Sequence, residues 1–330
     1  ISKIVITTGD EAGIGPEIIL KSLASQELPR EIEFIIVGNK RNLISTYLSL
    51  RSIGIRNIVD PRDLQIKDLE FSSFNLNTPS PESGNASFFY LKHAIEIVKK
   101  LPNSALVTSP ICKKSWALAG HNYSGQTELL SESCNARNVG MLFTARSPYT
   151  GWRFNTLLTT THIPLRDIPS ALNANLIKSK LDLLSTFCKK FKKRPTILVA
   201  GLNPHAGEEG ILGLEEVNLI KKTLQDWNIN NPSIEIKGPL SPDTCWVPSA
   251  KAWRDKKVAA NDGILAMYHD QGLIPVKIIT LNYSVNTTLG LPIIRTSPDH
   301  GTGFDISGQG IAQSQSMVEA IKTANDLIIN

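Results

Sequence analysis

What most constrains this chain is a repeated alternation of short, β-rich apolar runs with amphipathic helical stretches. Residues 3–8, 33–38, 104–108, 153–160, 196–200 and 263–267 read as strands, each an apolar run of strand length. Residues 16–25, 86–100, 176–190, 213–226 and 311–328 carry apolar side chains at helical spacing. The alternation predicts a largely parallel sheet covered by helices, since a parallel pair needs a long crossover to return the chain. A chain of 330 residues exceeds what one core usually reaches, so two lobes with a cleft between them are expected. Ligands of such sheets gather at the carboxyl ends of strands, and most of the unusual clusters here follow a strand run directly.

Composition narrows the class. The chain is 41% apolar and 20% charged, which suits a globular protein and excludes disordered or fibrous classes. The net charge of +5, from 35 basic and 30 acidic residues, suits an anionic small molecule without implying nucleic acid. The densest basic run, residues 189–194, contains Phe191 and ends at Pro195, as expected of a solvated helix end entering a strand. Cys112, Cys134, Cys188 and Cys245 lie far apart with no C-x-x-C pair, which predicts neither a zinc knuckle nor a disulfide framework. No apolar run approaches the roughly 18 to 20 residues of a membrane helix. The sequence opens directly into a strand pattern without a signal-peptide layout, so a cytoplasmic protein is expected. Residues 75–85, with two prolines and one glycine, are the most linker-like stretch.

Several clusters carry chemistry. Thr7 to Glu17 forms a glycine-rich turn with Pro16 at a helix start; it suits either anion binding by free N–H groups or a tight connection needing glycine for geometry. Three of the six histidines follow apolar strands in polar turns: Thr161-His162, Asn203-Pro204-His205-Ala206-Gly207-Glu208, and Tyr268-His269-Asp270-Gln271-Gly272. A lone histidine is usually structural, but three in equivalent positions suit one divalent metal with open positions for substrate oxygens. Asp270 and Glu208 are candidate carboxylates to fix the imidazole tautomers. Downstream, Lys277, Asn286 and Arg295 stand among apolar strand residues, as in a clamp for phosphate or carboxylate. His300-Gly301-Thr302 is a polar glycine turn suited to approach a nucleotide.

These motifs, in this order, resemble those of the 4-hydroxythreonine-4-phosphate dehydrogenase family of pyridoxal phosphate biosynthesis, from residue 4 to about residue 310. The specific elements are Gly9-Asp10 with Ala12-Gly13-Ile14-Gly15-Pro16-Glu17, Leu202 to Glu208, Met267 to Leu273, and residues 286–295. The resemblance implies an isocitrate/isopropylmalate dehydrogenase-like fold of two α/β/α lobes, here placed at 1–125 plus 290–330 and at 126–289. It also implies NAD, a divalent metal (zinc first, magnesium or cobalt as alternatives), and a homodimer with active sites at the subunit interface. By motif, His162, His205 and His269 match the metal ligands, and Gln126, Thr127, Lys277, Asn286 and Arg295 the substrate-binding positions. Gln126 stands where the family usually has histidine, and Thr8 and Glu11 stand where prolines are common, so Glu11 adds a negative charge close to a possible anion site. His300, Gly301, Thr302 and Asp305 look like the nucleotide-contacting turn of the wider superfamily.

The implied reaction is NAD-dependent oxidation of 4-phosphooxy-threonine to 2-amino-3-oxo-4-phosphooxybutanoate, which decarboxylates to 3-amino-2-oxopropyl phosphate. Asp243 and Asp270 are the acidic candidates for general base. Gln126 keeps open the same chemistry on 4-phospho-threonate or 4-phospho-erythronate. The fold also resembles that of phosphate acyltransferases, which need neither metal nor nicotinamide, and a non-catalytic metal-binding protein is the remaining class.

Overall fold

The computed structural model describes residues 1–330. The chain runs through β1 (Ser2–Thr7), α1 (Gly15–Leu23), β2 (Ile32–Gly38), α2 (Lys40–Ser52), β3 (Gln65–Asp68), α3 (Pro81–Lys100), β4 (Ser104–Thr108), α4 (Lys113–Leu118) and α5 (Gln126–Ser133). It continues through β5 (Gly140–Arg146), β6 (Arg153–Leu158), α6 (Ile168–Ala171), α7 (Ala174–Lys189), β7 (Thr196–Ala200), α8 (Lys221–Asn230), β8 (Glu235–Leu240), α9 (Val247–Arg254), β9 (Gly263–Ala266), α10 (His269–Thr280) and β10 (Val285–Leu289). It ends with β11 (Ile294–Pro298) and α11 (Gln315–Ile329). Two compact units result, Ile1–Arg137 with Leu291–Asn330, and Asn138–Gly290.

In the first unit the strands run β3-β2-β1-β4-β11, every pair parallel. Ile4, Val5 and Ile6 of β1 are all buried, as a strand covered on both faces requires. Helix α3 packs Phe88, Tyr90, Leu91 and Ile95 with Leu106 of β4 and Trp116 of α4. Ser80 caps α3 by accepting from Ser83 N, and Pro81 sits at the first position, so the second half of the linker-like stretch is a helix start.

In the second unit the order is β10-β5-β6-β9-β7-β8. The pairs β10–β5 and β5–β6 are antiparallel, and β6–β9, β9–β7 and β7–β8 are parallel. The antiparallel step follows from a connection too short for a crossover: Ser147 Oγ accepts from Tyr149 N and Thr150 N, both at 3.1 Å, and turns the chain back. Phe154, Trp246, Trp253, Ile264, Leu273 and Val276 form the core of this unit. The helix expected over 213–226 opens as one wide π-turn, Glu216–Ile220, before α8, and the helix expected from 311 begins at Gln315. After α7 the basic run is exposed, with Arg153 over the Phe191 ring at 4.6 Å. No helix is long and apolar enough to cross a membrane.

Candidate functional site

In the second unit, parallel pairing brings the carboxyl ends of β6, β9, β7 and β8 side by side. A row of hydrogen bonds ties these four ends together. Thr159 N donates to Ala266 O at 2.8 Å, and Thr160 donates to Met267 O through N at 3.2 Å and Oγ1 at 2.7 Å. Gln271 Oε1 accepts from Met267 N at 2.7 Å, and Gln271 Nε2 donates to Gly201 O at 2.7 Å. Gly201 N in turn donates to Leu240 O at 2.7 Å. Just beyond these anchored residues come His162, His269, His205 and Asp243, one from each strand end.

His162 and His269 meet, their ring centres 5.5 Å apart. Two imidazoles bound to one ion, each at about 2 Å, hold their centres about 5 Å apart, so the pair fits a shared divalent ion. Asp270 Oδ1 lies 2.7 Å from His269 Nδ1. A carboxylate there accepts the Nδ1 hydrogen and leaves the Nε2 lone pair for a ligand bond, the role expected of Asp270. Thr161, Ile163, Leu165 and Tyr268 join both histidines around a cavity of about 200 Å³.

His205 is not drawn into that pair: no three His, Cys, Asp or Glu side chains are gathered into one metal-enclosing group. It opens a stretch of five residues, His205 to Glu209, with φ between 44° and 79°, a short left-handed turn. Glu208 is exposed, and the carboxylate that organises the loop is one that sequence reasoning passed over. Buried Glu216 accepts from Leu202 N and Asn203 N, both at 2.6 Å, and from Asn203 Nδ2 at 2.9 Å. The Ser241 hydroxyl, 2.6 Å away, holds the Asp243 carboxyl below its ordinary range, with a smaller contribution from His205. Lys277 is exposed on α10, and half-buried Asn286 on β10 has an Oδ1 without a partner.

In the first unit, Arg295 is buried on β11 and donates through Nε and Nη2 to Thr108 Oγ1, at 3.2 and 2.8 Å. Burial brings its pKa down to about 10, which leaves it cationic at neutral pH. Gln126, first residue of α5, donates Nε2 to Ser109 O at 3.1 Å. Gln126 Oε1 and Ser109 Oγ are buried without partners, as expected where a ligand is to supply them. Thr127 is half-buried beside Gln126. Arg295 and Gln126 therefore both bond to consecutive residues at the end of β4.

The glycine-rich turn resolves toward its geometric reading. Ile14 N, near the start of α1, donates to Thr302 O at 2.8 Å, and a Cβ on Gly13 would stand 2.3 Å from the same oxygen. Thr302 thus buttresses the turn, while Gly301 faces open space and His300 Nε2 is buried without a partner. Asp305 is exposed in the short helical turn Phe304–Ile306. The expectation that Glu11 charges an anion site needs correction. Its carboxylate accepts from Thr8 Oγ1 at 2.7 Å, Asn39 N at 3.0 Å, Asn42 Nδ2 at 2.6 Å and Tyr90 OH at 3.3 Å, so it is spent on joining the turn to β2, α2 and α3.

The family model for pyridoxal phosphate biosynthetic protein PdxA matches residues 30–324. A 4-hydroxythreonine-4-phosphate dehydrogenase of Synechococcus sp. (strain RCC307) is 47% identical over 329 residues, covering 99% of each chain. The crystal structure of 4-hydroxythreonine-4-phosphate dehydrogenase from Klebsiella pneumoniae superposes with a TM-score of 0.80 at 31% identity, covering 99% of this chain and 100% of that one. A beta-decarboxylating dehydrogenase from Thermococcus kodakarensis shares the fold alone, with a TM-score of 0.51 at 12% identity over 99% of this chain and 84% of that one. The expected isopropylmalate dehydrogenase-like fold is thereby found. With a family model over most of its length and relatives this similar from end to end, the chain belongs to the 4-hydroxythreonine-4-phosphate dehydrogenase family.

Proposed function

We propose that this chain oxidises the secondary hydroxyl of 4-phosphooxy-threonine with NAD, giving 2-amino-3-oxo-4-phosphooxybutanoate, which loses carbon dioxide to form 3-amino-2-oxopropyl phosphate. The observation that carries this reading is the His162–His269 pair, 5.5 Å between ring centres and with Asp270 on Nδ1 of His269, in a chain of this family. His162 and His269 would hold a divalent ion, zinc first with magnesium or cobalt as alternatives, and His205 is the proposed third ligand. When bound, such an ion supplies Lewis acidity that lowers the pKa of a neighbouring hydroxyl. Asp243, kept ionised by Ser241, is the proposed acceptor of the hydroxyl proton, and Asp270 is the second acidic group, orienting His269. The hydride leaves the same carbon for NAD, which His300, Gly301, Thr302 and Asp305 are proposed to hold. Open space at Gly301 and the partnerless His300 Nε2 support that assignment.

Gln126, Thr127, Lys277, Asn286 and Arg295 are the proposed substrate contacts, with the buried guanidinium of Arg295 as the anchoring charge for phosphate or carboxylate. The unpartnered Gln126 Oε1 offers an acceptor, which suits the amino group of 4-phosphooxy-threonine. 4-Phospho-threonate and 4-phospho-erythronate lack that group and form the alternative. Four free thiols suit a reducing compartment such as the cytoplasm. Ile274, Ile278 and Leu281, exposed along α10 and its end, support a homodimer.

Metal-defined protein assayed for NADH formation on the three phosphorylated acids tests the reading. The expected result is highest kcat/KM on 4-phosphooxy-threonine, loss of activity on chelation and recovery on adding a divalent ion. His269→Ala should lower kcat/KM by at least about 100-fold. NADH formation that survives complete chelation would remove the metal from the scheme, and preference for a substrate without the amino group would change its substrate.

A further inference from the structure

Beside α1 and α2 of the first unit lies a cavity of about 260 Å³ with an unusual wall. The side of a helix that faces other elements is ordinarily apolar, but α2 presents a polar row here. Asn42, Ser45, Thr46 and Ser49 all line the cavity, and offsets of three, four and seven residues place them in one stripe along the helix. Ser45 and Ser49 are exposed at its mouth, whereas Glu11, Glu17 and Ser307 are buried, at 3%, 2% and 6% exposure. None of the residues proposed above for metal, substrate or NAD lines it.

The charges of this wall do not balance. Two carboxylates line the cavity, and no lysine, arginine or histidine does. Glu11 accepts only from neutral donors on Thr8, Asn39, Asn42 and Tyr90. Glu17 Oε1 accepts from Lys21 Nζ at 2.7 Å and Ala312 N at 3.0 Å, but Glu17 Oε2 is buried without a partner. Lys21 cannot serve both oxygens: its three ammonium hydrogens go to Glu17 Oε1, Gly310 O and Ala312 O. A buried carboxylate oxygen without a donor is costly, so a ligand that brings a charged donor gains a strong hydrogen bond there. The cavity holds far more than one metal ion or one water, and hydroxyl groups along α2 can donate to and accept from hydroxyls of a ligand. We propose that this cavity binds a small hydroxylated amine, its ammonium on Glu17 Oε2 and its hydroxyls along the row of Ser45, Thr46 and Ser49.

The test is a titration of isotope-labelled protein, followed by backbone amide shifts, with 2-amino-1,3-propanediol hydrochloride, with glycerol and with potassium chloride. The amine should give saturable shifts centred on Gly13, Glu17, residues 42–49 and Ser307, which glycerol and potassium chloride at equal concentration should not. Glu17→Gln keeps an acceptor for Lys21 and Ala312 N but puts an amide donor in place of Oε2, and should weaken the amine by about 10- to 100-fold. Ser49→Leu fills the mouth from the exposed side of α2 and should abolish the shifts; it carries the test if Glu17→Gln does not fold. Shifts that never saturate, that lie elsewhere in the molecule, or that persist unchanged in both variants would overturn the proposal. Equal shifts from glycerol would strip the ammonium of its role, and equal shifts from potassium chloride would leave a general cation effect; either result refutes the ligand class.

Discussion

A buried carboxylate with four hydrogen bonds, Glu11 is a polar keystone of the first unit. Those donors favour its charged form, but burial outweighs them and pushes its pKa up from 4.5. The sign of the consequence follows. A group whose folded pKa lies above its unfolded value stabilises the fold fully below the unfolded value, and that contribution is lost as pH rises through the folded pKa. Glu11→Gln removes this dependence, so the Tm of the variant minus that of wild type should grow as pH is raised from 4.5 toward neutrality. Calorimetry across that range checks it, and a pH-independent difference would show that Glu11 titrates normally. Glu11→Ala instead strands Thr8, Asn39, Asn42 and Tyr90 and should cost about 3 kcal/mol near pH 4.5, and less as the pH is raised.

The His205 loop is an element held in an unfavourable conformation by its surroundings. Left-handed backbone costs each non-glycine residue roughly 1 kcal/mol or more, and four of the five residues here are not glycine. The glycine, Gly207 at φ 79°, has no room for a side chain, since a Cβ would stand 2.6 Å from Glu216 Oε2. Gly207→Val should therefore destabilise the protein by about 2 to 4 kcal/mol in urea unfolding and lower metal affinity along with it. A variant with wild-type stability would mean the turn is not held as described. The sequence made some elements plain and concealed others. Strands β1, β4, β7 and β9 are legible because burial on both faces leaves an unbroken apolar run. Polar β10, with Asn286, Thr287 and Thr288, reads instead as a ligand motif. Helix α10 is hidden by Gly272 and Pro275, although a Cβ at Gly272 would stand 2.5 Å from Leu158, so the glycine is what lets the helix approach β6. The histidines were visible from residue type and position. Gln271 and Glu216 were not, because among their partners are backbone groups 70 and 13 to 14 residues away, which no local pattern reveals.

At the scale of the whole molecule, the helix that begins with His269 leaves its outer face uncovered. Ile274, Ile278 and Leu281 are 57%, 70% and 70% exposed, and the first two lie one turn apart on α10. Burying an isoleucine gains about 1.5 to 3 kcal/mol. In a two-fold dimer each substitution is counted twice, because the same patch serves both copies. Ile278→Glu should then weaken self-association by at least about 3 kcal/mol, more than 100-fold in Kd, before any cost of the buried charge. Sedimentation equilibrium over a range of protein concentrations should find wild type as a dimer and the variant shifted toward monomer. If the active site needs the partner, kcat/KM should fall in step with the dimer fraction. A variant as dimeric as wild type would move the interface off this helix, and a fully active monomer would separate catalysis from assembly.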